Sequence, residues 1–272
     1  KVIKRLVASL VGLALVLGLV VATWMPGGAA NAEDAASTAA AFTAAADMVG
    51  GTAAADVADA AEYADADYAE GVVDISLGDT ITISGAGAAV EGSTVTIGAA
   101  GVYRISGTLD SGALVVDAKG KVYLEFRGVS ITSASGPALL VRDAKKVVVT
   151  LAEGSDNRLA DTAGGSDDTA ALYTNDTLLV NGKGTLVVVG NNNEAISSDD
   201  DIIINSGTLC VTAVDDGLNA HDDITVNGGH LTVMAGGDGL DSNGTVHING
   251  GTLVTFGGTT AGEGGIDALG AF

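Results

Sequence analysis

Between residues 194 and 255 the apolar positions recur in short alternating runs, and the runs recur every 22 residues. Ile202-Ile203-Ile204-Asn205-Ser206-Gly207 is followed by Ile224-Thr225-Val226-Asn227-Gly228-Gly229, then by Val246-His247-Ile248-Asn249-Gly250-Gly251. Thr208-Leu209-Cys210-Val211 becomes His230-Leu231-Thr232-Val233 and then Thr252-Leu253-Val254-Thr255. A weaker copy lies at Leu172 to Val188, and Gly265-Ile266-Asp267 opens another. Alternation with a period of two specifies strands. Asn and Gly between the runs supply the positive φ that sharp turns need. No run has helical spacing, so each repeat is two or three short strands joined by turns.

One such unit cannot bury its own apolar face. Stacking places Ile202, Ile224 and Val246 in one column and Leu209, Leu231 and Leu253 in another, about 4.8 Å apart per rung. The fold class this predicts is all-β, a right-handed single-stranded parallel β-helix with rungs of about 22 residues. A leucine-rich repeat has similar length, but its L-x-x-L-x-L pattern and helical half are missing. Upstream, from about Val72 to Leu151, the strands are less regular: Ile81-Thr82-Ile83, Val95-Thr96-Ile97, Val102-Tyr103-Arg104-Ile105, Val122-Tyr123-Leu124 and Val147-Val148-Val149. They read as earlier rungs plus a cap over the first coil.

The domain plan follows from the N-terminus. Lys1, Lys4 and Arg5 precede an apolar run from Leu6 to Trp24 and an A-x-A site at Ala30-Asn31-Ala32. This is the three-part secretory pattern, so residues 1–32 are expected to be a signal peptide, with an extracellular or cell-surface mature protein and no membrane association after cleavage. Residues 33–70 are nearly all Ala, Asp, Glu and Thr and read as a solvated linker with transient helix. Residues 71–272 form the β-helix, and because the sequence stops inside a rung the stack is expected to continue further. One cysteine, Cys210, rules out a disulfide framework.

Charge then narrows the function. The net charge is −22, which excludes a nucleic-acid binder lacking any basic face. The repeat stacks its acids: Glu194, Asp216 and Asp238 in one column; Asp200 and Asp222 in a second, with Gly244 next; Ser197, Asn219 and Asp241 in a third; Asp199, His221 and Asn243 in a fourth. These columns read as flanking one bend of the coil. From Gly184 onward there are 12 acidic residues and no Lys or Arg. Like charges at rung spacing repel, so they either face open water or hold a cation. Hard oxygen donors suit Ca²⁺.

Several segments resemble a known family. They are Gly101-Val102-Tyr103-Arg104-Ile105-Ser106-Gly107-Thr108-Leu109, Val122-Tyr123-Leu124 through Gly128-Val129-Ser130-Ile131, and Leu151-Ala152-Glu153-Gly154-Ser155-Asp156-Asn157. Ala213-Val214-Asp215-Asp216-Gly217-Leu218 and Gly237-Asp238-Gly239-Leu240-Asp241 follow. In this order they resemble the carbohydrate-binding-domain family of secreted bacterial β-helix proteins, whose founding clostridial member resembles pectate-lyase-type polysaccharide lyases. The resemblance implies bound calcium and an acidic plant polysaccharide partner such as polygalacturonate, with cellulose also possible. It implies calcium ligands at Asp215, Asp216, Asn219, Asp238 and Asp241; the column argument adds Asp200 and Asp222. Many relatives carry a basic residue shortly after D-D-G-[IL], where this chain has Asn219-Ala220-His221.

Three functions remain open. A binding module would hold the polymer through bridging calcium, with Tyr103, Tyr123 and Tyr173 as candidates for sugar stacking. A calcium-dependent lyase would need a Lys or Arg base beside the metal, and Arg142, Lys145 and Lys146 lie in earlier rungs. A surface adhesin or scaffold would use calcium only to stiffen the stack. The binding module is the reading preferred here, and no catalytic residue is assigned.

Overall fold

The computed structural model describes residues 71–164, 170–260 and 262–270. The expected signal peptide and linker lie outside these residues.

The chain winds as a parallel β-helix with three faces. On the first face, strands Lys146–Leu151, Leu178–Gly182, Ile202–Ile204, Ile224–Val226 and Val246–Ile248 pair in parallel. The second stacks Asp156–Ala160, Thr185–Gly190, Thr208–Ala213, His230–Met234 and Thr252–Phe256. The third runs from Thr94–Ile97 through Ala113–Asp117, Leu139–Asp143, Leu172–Thr174, Ile196–Ser198, Leu218–Ala220 and Leu240–Ser242 to Ile266–Ala268. The predicted columns are present: Ile202 pairs with Ile224 and Ile224 with Val246, and Leu209 pairs with Leu231 and Leu231 with Leu253.

The first rungs differ from the later ones. Lys121–Thr132 runs unbroken through two faces, pairing with Lys146–Leu151 by its first half and with Arg158–Ala160 by its second. The turn that later rungs make here is reduced to a bend at Gly128, which has a φ of 79°. Asn157 holds that bend. Its Oδ1 accepts from the Gly128 and Val129 amides at 3.0 and 2.9 Å, and its Nδ2 donates to Ser155 Oγ and the Thr185 carbonyl. Later rungs turn instead at Gly207, Gly229 and Gly251, all with positive φ. Beside them Asn205, Asn227 and Asn249 form an amide ladder, each link 2.8 Å. Two antiparallel pairings, Val73–Leu77 with Thr82–Ile83 and Ala88–Glu91 with Thr94–Ile97, lie at the start of the described residues.

The core is a continuous apolar column inside the coil. Cys210 is buried on the second face, and burial pushes its thiol up to about 11, so it is a packing residue.

Candidate cation and glycan site

The bend between the second and third faces gathers acids from successive rungs. Glycines make this possible: a Cβ on Gly237 would strike the carboxylates of both Asp215 and Asp216. With that space open, each carboxylate folds down onto the next rung. Asp216 Oδ1 accepts the Asp238 amide at 2.6 Å, 22 residues on, and Asp238 Oδ1 accepts the Gly264 amide at 2.5 Å, 26 residues on. The Asn219 side-chain amide donates to Asp216 Oδ2 at 3.3 Å and to Asp241 Oδ2 at 3.2 Å. Asp241 belongs to the outward column of the third face, in register with Asn219 on one side and Asp267 on the other. One oxygen each from Asp238, Asp241 and Asp267 lies within 4.8 Å of the others.

This crowding is costly for the ionised forms. Asp241 is pushed up to about 6, first by burial and then by the charges of Asp216, Asp238 and Asp267. Burial, ahead of neighbouring acids, also raises Asp238 and Asp215. Glu194, at the entry to the same bend, is raised by burial and then by Asp215 and Asp216. No Lys or Arg follows Lys183 in the sequence, so no cationic side chain from these rungs offsets the charge. The donor set is all oxygen. Oxygens that share one Ca²⁺ lie no further apart than about 4.6–5.2 Å, and the three carboxylate oxygens meet that limit, all lying within 4.8 Å of one another. The residues therefore fit a hard divalent cation.

The seven residues expected at the metal divide into two groups. Asp215, Asp216, Asn219, Asp238 and Asp241 meet at the bend just described. Asp200 and Asp222 do not: they sit beyond the three-residue strands Ile196–Ser198 and Leu218–Ala220, in the bend leading to the first face. Asp200 is raised by burial and then by Asp176, Asp222, Asp201 and Asp199, a separate set of neighbours. In that bend Asp201 Oδ1 accepts the Asp223 amide and Asp223 Oδ1 accepts the Thr245 amide, a carboxylate-to-backbone ladder. The expectation of one shared bend is therefore corrected to two, because the strand between the columns is long enough to span a whole face.

Two acids that sequence reasoning did not assign belong to the first group, Asp267 and Glu263. Asp267 supplies one of the three clustered oxygens, and Glu263 acts on both Asp215 and Asp238. The aromatic candidates also separate. Tyr103 and Tyr123 are 1% and 2% exposed and cannot stack on a sugar. Tyr173 is half-buried on the outward column of the third face, in register with Ser197 and through it with Asn219 and Asp241. Its hydroxyl donates to Asp199 Oδ1 at 2.9 Å, which fixes the ring.

A parallel β-helix with an outward polar column that joins a ring to an oxygen-rich acidic bend defines a class of extended, glycan-compatible solenoid. The chain belongs to the family described as carbohydrate-binding domain-containing protein, which it matches over residues 91–271. A protein of that description from Acetivibrio thermocellus is 31% identical over 137 residues, 47% of this chain and 48% of the relative. The chain thus spans about half the length of that relative. A solved structure described as the polysaccharide lyase-like protein from C. thermocellum, gadolinium derivative, superposes with a TM-score of 0.63 and 28% identity. That match covers 67% of this chain and 80% of the other.

Proposed function

We propose that this is an exported, calcium-dependent carbohydrate-binding protein whose partner is an acidic polysaccharide of the polygalacturonate type. The observation that carries the reading is the convergence of Asp238, Asp241 and Asp267 within 4.8 Å, in rungs that contain no Lys or Arg. Those three, with Asp215, Asp216 and Asn219 around them, would hold the ion. Bound calcium supplies positive charge between protein carboxylates and polymer carboxylates, which lets an acidic protein hold an acidic polymer. The third face gives the polymer its track. Tyr173, Ser197, Asn219 and Asp241 follow one another along the axis, three rung steps or about 14 Å. That length accommodates a few sugar units, with Tyr173 offering a ring face at one end.

The test is isothermal calorimetry of calcium into the chain, paired with polygalacturonate binding with and without chelator. Calcium uptake together with chelator-sensitive polymer binding, weakened by Tyr173→Ala, is the expected result. Absence of calcium uptake sinks the cation site. Calcium uptake without polymer affinity would point to a stiffened scaffold, and unsaturated uronate products to a lyase.

A further inference from the structure

The bend between the first and second faces changes from one early rung to the next. The chain first passes it at Gly128 without a break in the strand, then with four residues (152–155) between Leu151 and Asp156, then with two (183–184) between Gly182 and Thr185. The middle link is the longest of the three and stands above its neighbours. An open cleft of about 820 Å³ lies against it, a volume in the range of small-ligand sites. Gly128 and Gly154 are both on its lining, and a Cβ on either would meet nothing within 4 Å.

The walls are fixed from beneath. Ser155 closes the link: its amide donates to the Ala152 carbonyl at 3.0 Å and its hydroxyl to the same oxygen at 2.7 Å. Asn157, 2% exposed, joins Ser155 Oγ on one side of the cleft to the Gly128 and Val129 amides on the other. A site supported by a buried network of this kind holds its shape before a ligand arrives.

The lining is charged, and its groups divide by what they are free to do. Both oxygens of Glu125 are taken. Oε1 accepts Arg127 Nε and Nη2 at 2.8 and 2.7 Å, and Oε2 accepts Arg104 Nε at 3.1 Å. That clamp orients the Arg127 guanidinium, whose side chain is half-exposed and whose Nη1 has no acceptor among the described residues. Lys183, across the cleft, is exposed and makes no ion pair among the described residues. The register Glu125–Thr150–Asn181 sets Arg127 and Lys183 two rung steps apart, about 10 Å at the backbone. Two long cationic side chains facing each other over that gap suit one carboxylate, which a guanidinium takes through paired N–H groups. On the link between them, Glu153 and Asp156 are exposed and also without ion pairs among the described residues. Carboxylates accept hydrogen bonds from hydroxyls. Cations for a carboxylate beside acceptors for hydroxyls are the complement of a sugar acid.

We propose that this cleft is a second glycan site, which takes the carboxylate of a uronate unit between Arg127 and Lys183 and its hydroxyls on Glu153 and Asp156, without a metal ion. It shares the acidic-polysaccharide reading given above but not the calcium on which that reading depends, so the two can fail separately. The cleft and the acidic bend lie on the two edges of the second face and in different rungs. Binding at the cleft is therefore the part of glycan affinity that chelator does not remove.

Calorimetry of trigalacturonate into the full chain in chelator tests this. Saturable binding that weakens with added salt is expected, with none for the neutral trimer cellotriose and none for acetate over the same concentrations. Lys183→Glu is expected to lower trigalacturonate affinity at least roughly tenfold. It should leave the melting temperature and calcium uptake unchanged, because Lys183 is exposed and lies outside the acidic bend. Absence of trigalacturonate binding in chelator overturns the proposal and leaves the calcium-dependent reading to its own assay. Equal affinity in the parent, Lys183→Glu and Arg127→Gln overturns it by placing the ligand elsewhere. Equal affinity for cellotriose overturns the role of the carboxylate, and equal affinity for acetate overturns the role of the sugar.

Discussion

Replacing Asp241 by Asn should stabilise the protein in chelator and abolish its stabilisation by calcium. The reasoning starts from the carboxyl's displacement, from an ordinary value of 3.8 to about 6. A carboxyl raised in the folded state contributes no penalty below pH 3.8, where folded and unfolded chains are both protonated. Between pH 3.8 and 6 the unfolded chain releases its proton and the folded chain resists, so stability falls through that window and stays lower above it. Each pKa unit is worth 1.36 kcal/mol, which gives about 3 kcal/mol; because Asp241 keeps partial solvent contact, screening reduces this to roughly 1–2 kcal/mol. Asparagine keeps the shape, removes the charge, and presents an oxygen that can still accept from Asn219.

For a domain of this size 1 kcal/mol corresponds to about 2–4 °C in Tm. Asp241→Asn in chelator at pH 7 is therefore expected to melt roughly 2–8 °C above the parent chain. In calcium at a hundredfold excess over Kd the parent gains about 2.7 kcal/mol, and the variant is expected to gain much less, so the order of the two melting points reverses or closes. Differential scanning calorimetry in both buffers reads this directly. A variant that melts lower than the parent in chelator refutes the electrostatic account of the bend. A calcium response equal to the parent's refutes Asp241 as a ligand.

Asn157→Ala removes the acceptor of the Gly128 and Val129 amides inside the first rungs and is expected to lower unfolding free energy by about 2–4 kcal/mol, read by urea denaturation. Gly182→Ala places a Cβ against the Leu151 carbonyl at a φ of 106° and should destabilise by at least about 2 kcal/mol in the same assay. Tyr173, raised to about 12 by burial and then by Asp199, should ionise well above the ordinary tyrosine value of 10 in an ultraviolet titration, and Asp199→Asn should bring it back toward 10. Tyr173→Ala is expected to weaken polymer binding at unchanged melting temperature.

The parts of this protein that were legible in its sequence are those repeated at a fixed interval. Ile196, Leu218 and Leu240 stand in register because nothing is inserted between them, and the core columns and the Asp216–Asp238 ladder could be read from that spacing alone. Asp267 was legible as part of the fragment Gly265-Ile266-Asp267 but was not assigned to the site, because the rung before it is longer: Asp238 meets the Gly264 amide 26 residues on, where the earlier link spans 22. The added residues carry Glu263 to the site and shift Asp267 off the 22-residue interval, so the insertion that completes the cluster breaks the column by which its acids were read. The separation of Asp200 from Asp241 was hidden for a different reason. A repeat holds more than one bend, and a strand of three residues leaves little trace in a hydrophobicity pattern although it spans a face. Burial on the first face was also out of reach, since a period of two assigns Tyr123 and Val148 to the outside, where the structure nonetheless buries them. Repetition therefore reveals what every rung shares, whereas the candidate site is made where one rung departs from the rest.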